Sequence, residues 1–215
     1  MKVLMHYTFG WQKLMDCVYP NLMEYCRKHR YQMALLCVND YKRYTGEHKI
    51  KQIISEVGYG DIALVLDADT YITNHLIDFE QFVDKDHDLY LTKDINGINT
   101  GVFIVKMTPW MQNLLNYVNN TIQSGDFNCE QDAIAEYINN FGLDRIKIVN
   151  HPSFNSYPID LYAPSYGKIN YEEDEFVKKP THEQGAWQMG DYILHAPGLT
   201  IEKRIELFKN TPIVK

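Results

Sequence analysis

This sequence has no apolar run near the ~20 residues that a membrane-spanning helix needs. A membrane span is therefore not expected in its 215 residues. It also lacks a basic excess: 21 lysines and arginines face 28 acidic residues, for a net charge of −7. The isoelectric point is about 5.6. A nucleic-acid backbone requires a basic face, so nucleic acid is excluded as the main partner. Cysteine is scarce, with only Cys17, Cys26, Cys37 and Cys129. The first three are nine and eleven positions apart, which matches no zinc motif. They read as reduced structural thiols in a cytoplasmic protein. The opening residues Met1 to His6 turn polar too soon for a signal peptide. No repeat, low-complexity tract or linker breaks the chain, so one domain over residues 1–215 is expected.

The rest of the composition is that of a globular protein, with 45% hydrophobic and 23% charged residues. Tyrosine is abundant at 16. Such residues either line sugar or base pockets or sit half-buried at the surface. Lys2 to Met5 reads as a first strand, followed by a polar and aromatic loop from His6 to Gly10. Leu14 to Arg30 carries apolar residues at helical spacing, with Pro20 expected to bend or split it. Gln32 to Val38 is a second strand. Ile50, Ile53, Ile54 and Val57 mark a second helix, closed by Gly58 and Gly60. A buried strand follows from Ile62 to Leu66. This strand-helix alternation predicts a parallel, doubly wound sheet.

Further on, Leu76 to Val83 reads as a short helix, Asp88 to Thr92 as a strand and Ile95 to Gly101 as turns. Val102 to Lys106 is a strand. Thr108 caps a helix that begins at Pro109 and reaches about Ile122. Another helix runs from about Glu130 to Phe141, and Ile146 to Val149 is a short strand. The segment from Asn150 to Pro180 has little periodicity and reads as a long loop over the acceptor side of a pocket. Tyr192 to His195 is a last strand and Leu199 to Lys209 a terminal helix.

The chain is organised around Asp67-Ala68-Asp69, at the end of the third strand. In an extended chain the i, i+2 spacing puts both carboxylates on one face. Adjacent carboxylates resist ionising together, and a divalent cation removes that cost. Strand ends in α/β sheets are also where ligands bind. The stretch is either such a metal site or the start of a turn.

Four segments in order carry a resemblance: Asp67-Ala-Asp69-Thr70, Asn99 to Ile104, Glu130-Gln131-Asp132 and Gly190 to Gly198. They resemble the retaining GT-A glycosyltransferases. The likeness is closest to family 34, the xyloglucan xylosyltransferases and fungal galactosyltransferases, with the glycogenin-like family 8 similar in the same places. It covers most of residues 1–200, and the compact chain looks like a leaderless viral or bacterial type. The resemblance implies a GT-A fold: a Rossmann-like, mostly parallel central sheet flanked by helices. A nucleotide-binding part would cover about 1–95 and an acceptor-side part about 96–215. The implied activity is metal-dependent, retaining transfer from a UDP-sugar to a saccharide or glycan acceptor. The donor would be glucose, galactose, xylose or a deoxyhexose such as rhamnose. The location would be cytoplasmic, in the host cytoplasm for a viral protein.

Carried over residue by residue, Asp67, Asp69 and His195 would bind Mn2+ or Mg2+. Tyr7, Thr8 and Phe9 would meet the nucleotide. Lys49 (or equally Lys51), Ala68 and Gly198 would line the donor site, and Lys203 or Arg204 would reach the diphosphate, Lys49 and Lys203 being the residues selected. Family members place a lysine nearer the histidine. Asp94, Asn99, Thr100 and Gly101 would shape the sugar pocket, with Glu130 and Gln131 at the anomeric carbon. The family usually has Asp where this chain has Glu130. Two rival functions are a sugar-phosphate nucleotidyltransferase and a non-catalytic carbohydrate-binding module. The first would require a glycine-rich basic loop after the first strand, which is missing.

Overall fold

A computed structural model describes residues 1–38, 46–94, 97–127, 129–150, 154–158 and 185–215. Its centre is a six-stranded sheet in the order β2-β1-β3-β6-β5-β7. The strands are β1 (Lys2–Thr8), β2 (Gln32–Val38), β3 (Ile62–Asp67), β5 (Leu89–Asp94), β6 (Gly97–Lys106) and β7 (Ile146–Ile148). β1 lies parallel to β2 and β3, and β5 parallel to β7. β6 alone runs against its neighbours. The expected mostly parallel α/β sheet is present, with this one reversal. A small second sheet pairs β4 (Thr70–Ile72) with β8 (Ile193–His195), antiparallel.

The central strands are apolar without a break because both sheet faces are covered. Leu64 and Leu66 of β3 join Val3, Met5, Val102 and Ile104 on one face. Helices α1 (Gln12–His29) and α5 (Ile201–Asn210) cover that face and the β4–β8 pair. Ala63 and Val65 join Leu4, Phe103 and Val105 on the other, under α2 (Gly46–Glu56), α3 (Pro109–Ser124) and α4 (Glu130–Phe141). The period of two in a strand sorts these neighbours into two cores.

Several expectations are corrected. β1 continues through the supposed loop to Thr8, and a 3-10 turn, Phe9–Trp11, follows. α1 is continuous through Pro20. The carbonyl that loses its partner to proline is that of Asp16, and both residues are exposed, so water can satisfy it. Leu76 to Val83 holds only a 3-10 turn, Phe79–Phe82, started by Asp78 accepting from the Glu80 N–H at 2.9 Å. Gly97 to Gly101 is strand rather than turn, because β6 pairs with β5 as far as Gly97 opposite Asp94. Phe154 to Pro158, placed in the acceptor loop, is buried. The rest of that segment at 151–153 and 159–180 lies outside the described residues, as do 181–184.

Candidate active site

The site forms where β3 ends. Asp67 is the last residue of the strand, and Asp69 already belongs to a turn, closed by the Thr70 hydroxyl donating to the Asp67 carbonyl at 2.7 Å. The two carboxylates therefore do not share a strand face. Asp67 keeps the parity of Ala63 and Val65 and faces the α2 side. The turn carries Asp69 to the β4–β8 layer. There Thr70 pairs with His195, and the Ala196 N–H donates to the Asp69 carbonyl at 2.9 Å. This pairing brings an imidazole from the far end of the chain to the acidic pair. His195 Nε2 lies 3.4 Å from Asp69 Oδ1. One ligand atom each from Asp67, Asp69 and His195 falls within 4.8 Å of the others.

Gly101 explains how the ring fits. A Cβ there would lie 2.1 Å from His195 Cε1 and 2.8 Å from both ring nitrogens. The close approach that this glycine permits is to the imidazole. Two carboxylates and one imidazole form a donor set for a Mn2+- or Mg2+-type ion. Among the described residues His195 Nδ1 is buried with no hydrogen-bond partner, the kind of orphan atom expected where a ligand is accommodated. The residues fit the metal that the resemblance implies.

The two aspartates have different surroundings. Lys49 Nζ sits 2.6 Å from Asp67 Oδ1, touches Glu130 Oε1 and donates to the Thr100 carbonyl at 3.1 Å. Lys49 lies on the buried stripe of α2 with Ile50 and Ile53 and is 1% exposed, while Glu130 is fully buried. The lysine is an internal strut between α2, α4 and β3. Burial and the neighbouring Asp69 raise the Asp67 pKa, and Lys49 only partly opposes this. Burial would raise Asp69 too, but His195 and Arg204 outweigh it and lower its pKa to about 2. Arg204 Nη2 donates to Asp69 Oδ2 at 2.8 Å.

The sugar-pocket candidates form one network. Asn99 Nδ2 donates to Asp94 Oδ2 at 2.9 Å, and Asn99 Oδ1 accepts from the Gly101 N–H at 2.9 Å. The Tyr157 hydroxyl donates to Asp94 Oδ2 at 3.0 Å, and Asn155 Nδ2 donates to Asn99 Oδ1 at 2.9 Å. The Tyr157 ring lies 5.5 Å from that of His195. The Thr100 hydroxyl donates to Glu130 Oε1 at 3.1 Å, and the Thr100 N–H donates to Gln131 Oε1 at 3.2 Å.

Other candidates stand apart. Ala68 turns its methyl into the α1-side core. Tyr7 is half-buried, its phenol pKa raised by burial and by contact with Cys37, and Phe9 is 59% exposed. Thr8 closes β1 and precedes the 3-10 turn without capping it by its side chain. Gly198, at φ 71°, is exposed and turns the chain from β8 toward α5. Lys203 is exposed, and its backbone N–H is bound by the N-cap Thr200. Of this pair, the cation that enters the site is Arg204. Helical period marks it in advance, because Arg204 shares a face with Phe208, and Lys203 does not. His6, absent from the expected set, stands opposite Asp67 in the β1–β3 register, its Nε2 3.8 Å from Asp67 Oδ1. Burial and Lys49 lower its pKa to about 3, so the ring is neutral. Asn155 and Tyr157 were also missed, since nothing in an aperiodic segment signals burial.

Residues 61–193 match the galactosyl transferase GMA12/MNN10 family. The chain belongs to that family. This glycosyltransferase is similar in fold to a glycosyltransferase involved in the glycosylation of the major capsid of PBCV-1. That match has 16% identity and a TM-score of 0.71, covering 97% of this chain and 98% of the other. The galactosyltransferase LgtC, solved with donor and acceptor sugar analogs, matches at 12% identity and a TM-score of 0.55, over 100% and 98% of the two chains. The glycosyltransferase GlyE of Streptococcus pneumoniae matches at 13% identity and a TM-score of 0.58, over 96% of this chain and 60% of that one. A search of curated proteins gives no match. The enzyme thus has the expected GT-A fold. Among the described residues no helix is long and apolar enough to cross a membrane.

Proposed function

We propose that this glycosyltransferase is a single GT-A domain that transfers a sugar from a UDP-sugar to a saccharide acceptor, with a divalent cation and with retention. The observation that carries the reading is the meeting of Asp67, Asp69 and His195 within 4.8 Å. These three residues would hold Mn2+ or Mg2+. When bound, the ion supplies Lewis-acid stabilisation of charge on the leaving diphosphate. Glucose, galactose, xylose and a deoxyhexose are the candidate donors. Asp94, Asn99 and Tyr157 supply acceptor and donor atoms of the kind that read sugar hydroxyls.

Retention by a covalent intermediate would require an exposed carboxylate nucleophile. Glu130 is fully buried, and its Oε1 already serves Lys49 and Thr100. Gln131 has a neutral amide, and one lone pair of its oxygen is taken by the Thr100 N–H. Both facts support same-face attack, with the Gln131 oxygen near the developing positive charge. Four free cysteines support a reducing, cytoplasmic setting.

Calorimetry with a panel of UDP-sugars, with and without Mn2+, tests the reading. One sugar nucleotide should bind only with the metal, and NMR should show the donor's anomeric configuration kept in the product. An inverted product, or a glycosyl adduct trapped on Glu130, would reject the mechanism. Binding that ignores Mn2+ would reject the metal.

A further inference from the structure

Arg204 makes three contacts that converge on the metal-binding end of the molecule. Its Nη2 donates to Asp69 Oδ2 at 2.8 Å and its Nε donates to the Ala196 carbonyl at 2.8 Å. Its guanidinium carbon lies 4.4 Å from the centre of the Trp11 ring. The side chain is nearly buried, at 6% exposure. Asp69 and Ala196 are already joined by a backbone hydrogen bond of 2.9 Å. The guanidinium closes a second link between the same two residues, so the turn bearing Asp69 and the strand bearing His195 are stapled twice. A carboxylate with one oxygen fixed cannot rotate freely. Here Oδ2 is fixed and Oδ1 is left on the His195 side.

A full positive charge beside a cation site opposes the cation by simple repulsion. A mere counter-charge would therefore be a poor reason to keep arginine here. The planar fork is the distinguishing property: it can serve a carboxylate and a carbonyl in fixed directions while lying flat on an indole. Lysine, with one rotatable ammonium, cannot do all three.

We propose that Arg204 is a positioning residue for the metal site, locking Asp69 so that it offers Oδ1 alone, in line with His195. This rests on the metal reading above and goes beyond it, since Arg204 would touch neither metal nor donor. Outer partners that orient metal ligands typically change metal affinity by about 10–100-fold when removed.

The test is Mn2+ binding by the full chain, followed by electron paramagnetic resonance of free and bound ion, without nucleotide. Arg204→Lys keeps the charge and removes the fork. It should fold, bind Mn2+ at least about tenfold more weakly and broaden the bound-ion spectrum as the ligand set loosens. Wild-type affinity and spectrum in Arg204→Lys would overturn the positioning role and leave the metal site standing. Failure of the wild-type chain to bind Mn2+ would overturn both. If Arg204→Lys does not fold, Arg204→Gln decides on the same readout. If neither folds, the arginine serves the fold itself and the positioning role is rejected.

Discussion

Asp67 and Asp69 are two residues apart, yet each belongs to a different half of the molecule. Asp67 ends a central strand on the α2 side, and its cation is Lys49, itself shared with a fully buried Glu130. Asp69 sits in a turn against the second sheet, and its cation is Arg204 from the last helix. The Asp67 side chain is 26% exposed and its pKa is raised; that of Asp69 is 9% exposed and its pKa is lowered. The Asp69 half is a preformed, hydrogen-bonded arm. The Asp67 half takes its charge balance from a buried strut that also anchors α4. The halves meet at the ligand atoms, where one short motif couples two cores.

The strongest way to break the comparison is to remove a ligand from the preformed arm. Asp69→Ala and His195→Ala should fold and lose metal-dependent UDP binding below detection by calorimetry. Retained wild-type affinity in Mn2+ would remove that residue from the ligand set. Next is the strut. Lys49→Met leaves Glu130 buried and uncompensated and should cost about 3–5 kcal/mol of stability in denaturant unfolding. Adding Glu130→Leu should recover much of it, because an apolar pair needs no counter-charge. If the double variant is no better than the single, the cost lies with Asp67, the other partner of Lys49.

A milder intervention targets the seat of the imidazole. In Gly101→Ala the new methyl would overlap His195 Cε1, at 2.1 Å. Overpacking of this kind costs about 1–3 kcal/mol, and the displaced ring should weaken Mn2+ binding about tenfold or more. Unchanged Mn2+ titration would show that His195 has room to move.

The smallest effect is electrostatic. In metal-free protein, carbon NMR should show Asp67 titrating above the ordinary 3.8 and Asp69 near 2. For Asp69 the unfolded chain binds the proton first as pH falls. Its contribution to stability is complete above pH 3.8 and is lost toward pH 2. Asp67 works in the opposite sense, because its folded carboxyl takes the proton first. Its contribution is present at low pH and is lost as pH rises through its folded pKa. A single shared titration for both carboxyls would erase the distinction between the halves.

Much of this was legible in advance where local chemistry rules. The β3 run, the α3 start at Thr108-Pro109 and the α4 span need only periodicity and caps, and all three lie where expected. The reversal of β6 was not legible, because an apolar strand buried on both faces looks the same in either direction. Nor was the role of Pro20, whose missing N–H matters only where water cannot reach the freed carbonyl. At the site, the acidic pair and His195 were marked by motif. The choice between Lys203 and Arg204 depended on which face of α5 is turned inward.

The sequence by itself determined which chemistry is available: two acids, an imidazole, two cations and a glycine small enough to admit a ring. Their types and spacings are covalent facts. Tertiary structure alone decided that Thr70 pairs with His195, that Lys49 turns inward to Glu130, and that Arg204 returns to Asp69. The physical reason is that each of these contacts joins distant segments whose approach is fixed by the burial of two separate apolar cores. Nothing in the local backbone preference of either partner encodes that approach.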